Sequence, residues 1–134
     1  SNVTNVSERS LKSGRGSLRT DPRVQAMRPE ERESRESMAQ EIGRQLNVMA
    51  GDQGFSTEDH KSLGFHRRVA FLMPQRFVYE ALAATRDAID DERAGRKTVR
   101  GVDAYFAGTV QKIAERERID LGVEWKVKHP SEAI

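Results

Sequence analysis

At 134 residues, with 36% hydrophobic and 33% charged side chains, the chain has room for one domain with a modest core and a tail. No apolar run approaches the roughly 18 residues a membrane-spanning helix needs, and the polar, Ser- and Arg-rich start lacks the apolar centre of a signal peptide. Without cysteine there is no disulfide framework and no thiolate metal site, which is compatible with a reducing cytoplasm.

The formal charge of +2 is unevenly spread. Residues 1–28 hold Arg9, Lys12, Arg15, Arg19, Arg23 and Arg28 against Glu8 and Asp21, and residues 29–134 are slightly acidic. With no sustained apolar period, this first stretch reads as a flexible basic tail or linker, suited to solubility or weak electrostatic contact. The chain does not begin with Met; the expectation is a fragment or a processed chain, with Ser1 and Asn2 vector-derived.

Pro29 opens the first expected helix, because its missing N–H has no partner in a first turn. Glu30, Glu31 and Glu33 place negative charge at the positive end of the helix dipole. The stretch up to Arg35 is charged enough to project into solvent. Beyond it, Met38, Ile42, Leu46 and Met49 form one apolar stripe, and Gly51 is positioned to stop the helix. A second helix is expected from Ser56 as N-cap, with Leu63, Phe65, Val69 and Leu72 facing a core and Gly64 a potential break. Pro74 opens a third, since Met73 before it is pushed away from helical angles. Its stripe of Phe77, Val78, Ala81, Leu82, Thr85, Ala88 and Ile89 is the strongest in the chain, and it ends near Ala94 with Gly95 as cap. A fourth helix begins at Val102 or Asp103 and buries Phe106, Val110 and Ile113, with Gly108 allowing close packing. Ile119, Leu121, Val123 and Trp125 then read as an extended segment folded back onto the bundle. The expectation is an all-α fold, a small bundle of four or five helices over residues 29–128, with a C-terminal tail at 129–134.

Catalytic chemistry has little to work with. His60, His66 and His129 lack the His-Glu-x-x-His spacing of a metal site, and "SGRGS" lacks the Lys-Ser/Thr ending of a phosphate-binding loop. Asp90, Asp91 and Glu92 read as solvated carboxylates at a helix end. No cofactor, metal or enzymatic role is expected.

A binding surface is the better carrier. Arg93, Arg96, Lys97 and Arg100 crowd one helix-to-helix connection, and Thr98 adds a hydroxyl that can donate to phosphate. Lys112 and Arg116 sit on the exposed side of the next helix, and Tyr105 is a candidate for stacking on a base. Such cations can grip a phosphate backbone through counterion release. Ordinary solubilising charge is the alternative reading. The group His66-Arg67-Arg68 extends the patch if packing brings it close.

The segment "FHRRVAFLMPQRFVYEALAATRDAI", a basic turn, and "GVDAYFAGTVQKIAERERIDLG" together are similar to the C-terminal helical module of DnaD-like primosomal and plasmid or phage replication proteins. The likeness spans residues 38–122. Ala81-Leu82 corresponds to the family's first helix and Ala104-Tyr105-Phe106 to its second, while Thr109 and Ile113 stand where the family carries Ile and Trp. The resemblance implies binding of DNA, single-stranded or remodelled, and contact with a helicase or initiator protein. It also implies a preceding winged-helix domain, with the tail as linker. A protein adaptor that docks on a helicase, an initiator or its own copy as an oligomer is the competing expectation.

Overall fold

In the computed structural model, which describes residues 17–54 and 63–125, periodic apolar stripes become helices in the expected order. A 3-10 turn at Leu18–Thr20 leads into α1 (Pro22–Gln25), α2 (Pro29–Asp52), α3 (Leu63–Leu72), α4 (Gln75–Arg93) and α5 (Val102–Glu117). The fold is all-α, with no strand among the described residues. No helix there is long and apolar enough to cross a membrane. The expected cap at Ser56, most of the N-terminal tail (1–16) and residues 126–134 lie outside the described residues.

Two helical hairpins make the bundle. α2 packs chiefly on α3 and α4 on α5, and α2 also touches α4 and α5. One core runs through both. Met38, Ile42, Leu46 and Met49 of α2 are buried against Val69, Ala70 and Leu72 of α3. From α4 come Val78, Ala81, Leu82, Ala88 and Ile89, and from α5 Val102, Phe106, Val110 and Ile113. Thr85 is also buried, and its hydroxyl is satisfied by donating to the Ala81 carbonyl at 2.8 Å. Leu121 is buried below α5, and Trp125 meets the Phe65 ring edge-on at 5.8 Å, so the last described segment does fold back as an extended strap.

Several expectations need correcting. The solvated tail does not reach residue 28. Asp21 caps α1 by accepting from Arg23 N–H at 2.8 Å, Pro22 starts it, and Val24 is buried at 5% exposure. The charged start of α2 does not project into solvent unengaged. Arg32 donates to the carbonyls of Val24 and Gln25, and Arg35 donates to those of Ala70 at 3.1 Å and Met73 at 2.9 Å. These carbonyls lie at helix ends, where no intrahelical N–H is available to them. α2 runs past Gly51 to Asp52, and the left-handed residue is Gly54, at φ +90°. α3 begins at Leu63 among the described residues, so Gly64 lies in its first turn, and the segment before the break expected there lies outside the described residues. A methyl at Gly108 would meet nothing within 4 Å, so no close approach depends on it. The crowded glycine is Gly122 in the strap, at φ +70°, where a Cβ would come within 2.6 Å of Arg68 Nη1.

Candidate nucleic-acid interface

The basic turn is built by a helix stop and a clamp. At the end of α4 the Gly95 N–H bonds the Glu92 carbonyl at 2.9 Å and the Arg96 N–H bonds that of Asp91 at 2.8 Å. This is the Schellman arrangement, and Gly95 takes its left-handed position at φ +80°. Beyond it the chain is non-helical to Gly101, and Val99 alone turns inward, at 5% exposure. Side chains from two helices bond Val99 through its backbone. Its N–H donates to Glu92 Oε2 at 3.1 Å, and its carbonyl accepts from Gln53 Nε2 at 3.1 Å. Gln53 Nε2 also donates to Glu92 Oε1 at 2.7 Å. Gln53 and Val99 hold the Glu92 carboxyl below the ordinary glutamate range, the Gln53 bond contributing most and partial desolvation opposing it. Gln53 Oε1 is the one buried side-chain polar atom among the described residues without a hydrogen-bond partner.

Around this clamp the expected cations divide. Arg96 is held by Asp91, with bonds of 2.8 and 3.1 Å. Arg93 lies 3.9 Å from Asp52, which is itself paired with Arg86 at 2.9 Å. Lys97 Nζ lies 5.2 Å from the Tyr105 ring centroid and bonds the Tyr105 hydroxyl at 3.4 Å, at the hydroxyl end of the ring. Thr98 and Arg100 are exposed, and neither side chain has a hydrogen bond or ion pair among the described residues. Lys112 is exposed and unpaired in the same sense.

Arg116 belongs to the other end of the α4–α5 hairpin. It makes two bonds to Glu80, at 2.9 and 3.0 Å, and one to Glu117 at 2.8 Å. Its guanidinium is 5.5 Å from the Phe77 ring, and that of Arg76 is 4.5 Å from it. The two carboxylates raise the Arg116 pKa, Glu80 most, and Arg116 in turn lowers that of Glu80. Arg116 lies eleven helical positions beyond Tyr105, about 16 Å along the axis. The structure therefore brings Arg93, Arg96, Lys97, Thr98, Arg100 and Tyr105 to one end and leaves Arg116 at the other.

The group His66-Arg67-Arg68 adds nothing to this surface. His66 is buried at 7% exposure, its ring 6.1 Å edge-on from Phe106. Arg67 bonds Glu36, and Arg68 donates to the Leu121 carbonyl at 3.1 Å. Asp90, Asp91 and Glu92, read from sequence as solvated, each hold a partner: Arg86, Arg96 and the Val99 turn. Over all described residues, basic and acidic side chains are equal in number, so these residues together carry no net charge to attract a polyanion.

Sequence reasoning missed Gln53 and Glu92 as parts of the site. Their contact spans 39 positions, and neither helical periodicity nor any motif links them. The fold and site define a small helical bundle with a clamped basic turn. Compared with family models, curated proteins and solved structures, the chain matches none. The likeness to DnaD-like proteins thus rests on its short motifs alone.

Proposed function

We propose that this bundle is a DNA-binding accessory module of a bacterial or mobile-element replication protein, working in the cytoplasm without catalysis. Lys97, Thr98 and Arg100 grip the phosphate backbone, and Lys112 extends the contact along α5. Tyr105 orients Lys97. Arg93, Arg96 and Arg116 serve the fold through their carboxylate partners. The observation that carries this reading is the turn itself, which inserts Val99 and leaves the donors of Thr98 and Arg100 exposed and unpaired among the described residues. Because the described residues carry no net charge, binding depends on a few placed donors and is weak and salt-sensitive.

The test is fluorescence anisotropy with single- and double-stranded DNA at two salt concentrations. Replacing Lys97 and Arg100 by Ala lowers the slope of log affinity against log salt by about 0.7–0.9 for each lost phosphate contact. A double variant with wild-type affinity and slope leaves the turn as solubilising surface. The adaptor reading would then lead, with docking on a helicase, an initiator or a second copy. The large apolar side chains left exposed favour it, Tyr79 at 47% and Val48 at 55%.

A further inference from the structure

We propose that Gln53 and Glu92 are positioning residues for the basic turn, holding Val99 inward so that Thr98 and Arg100 face the phosphate backbone together. The ligand in this proposal rests on the nucleic-acid reading above, whereas the clamp has its own readout.

Thr98, Val99 and Arg100 alternate exposed, buried and exposed. Val99 is buried between two exposed neighbours outside any helix, so holding it in the core keeps the side chains on either side of it in solvent. The apolar contact of a single valine is a weak anchor for a charge-rich connection that runs from the end of α4 to Gly101. The polar clamp supplies the rest. The amide nitrogen of Gln53 has two hydrogens, and both are used, one on Glu92 and one on the Val99 carbonyl. Both carboxylate oxygens of Glu92 are used as well, one on Gln53 and one on the Val99 N–H. Each group thus holds the other two, and the turn is fixed relative to the ends of both α2 and α4.

Charge makes the role testable, because Glu92 is an acid beside a surface meant for a polyanion. If it were ordinary surface, losing its charge would strengthen DNA binding. If it positions the turn, its loss weakens binding. Glu92→Gln and Gln53→Glu are compared in the full chain with Asp87→Asn, a neutralisation on the same helix at an exposed residue with no ion pair among those described. The probe is a labelled oligothymidylate followed by anisotropy, and the exchange rate of the Val99 amide is followed by NMR.

Asp87→Asn should bind slightly more tightly and leave Val99 exchange as in wild type. Glu92→Gln should bind about fivefold more weakly, the equivalent of one hydrogen bond lost from the bound geometry, and Val99 should exchange faster. Gln53→Glu, which sets two carboxylates against each other, should show the larger change in both. Tighter binding by Glu92→Gln in step with Asp87→Asn, or unchanged Val99 exchange in both clamp variants, overturns the proposal. If wild-type protein does not bind the oligonucleotide, the functional reading falls, and Val99 exchange still decides whether the two side chains hold the turn.

Discussion

The two ends of the α4–α5 hairpin are made from the same residue types and are put to different use. At one end Arg116 is held by Glu80 and Glu117 and stacked near Phe77, so its charge is spent within the fold. At the other, Lys97 bonds the Tyr105 hydroxyl, and Arg100 and Thr98 have no partner among the described residues. Exposure does not separate them, since Arg116 and Arg100 are both exposed. What separates them is whether a carboxylate stands within reach in the antiparallel register. A count of surface cations therefore overstates how many of them are left without a carboxylate partner.

Both ends share a core, and the largest effect comes from removing it. Phe106→Ala should cost about 3–5 kcal/mol in denaturant unfolding, since its ring is fully buried beside the start of α5. It should loosen both ends together. A loss confined to the turn would show that the hairpin ends are independently stable.

Gly95→Ala should act on one end. At φ +80° a side chain is strained, and the change should cost about 1–2 kcal/mol. Amide exchange should quicken around Arg96–Val99 before it does near Arg116. Equal quickening at both ends would break the comparison.

Glu80→Ala and Arg116→Ala should leave thermal stability close to wild type, because exposed ion pairs contribute little. Oligonucleotide binding should hardly change with Arg116→Ala. A loss as large as that of the Lys97 and Arg100 double variant would mean that the far end is part of the interface.

The smallest effect concerns pH. Glu92 has a folded-state pKa below its ordinary value of 4.5, so the carboxylate form is the one the turn prefers. Its contribution is present above that ordinary value and is lost as pH falls through the lower, folded value. Val99 amide protection, corrected for intrinsic exchange, should hold from neutral pH to about the ordinary value and fall only below it. Loss already at about pH 6, well above the titration of a carboxyl, would assign the turn's stability to another group.

Helix types and faces were legible in the sequence because they depend on neighbours three and four residues away. Pro29 and Pro74 marked two starts, Gly95 marked a stop, and the stripe through Leu82 and Ile89 is buried as its spacing implied. Local signals misled where packing overrode them. Gly51 stays helical in the last turn of α2, two residues past the buried Met49, and Val24 draws in a segment whose composition alone reads as solvated.

The candidate site was legible only as a list of cations. Sequence placed Arg93, Arg96, Lys97, Thr98 and Arg100 at one helix-to-helix connection because they fall within eight positions of each other. Which of them are free was decided by Asp52, Asp91 and Tyr105, and the shape of the turn by Gln53 and Glu92. Those partners arrive from other helices, or from the far side of a helix end, once the core has set the register. Periodicity carries information over one or two turns of helix. An ion pair between distant positions depends on how two helices lie against each other, and only the folded chain determines that.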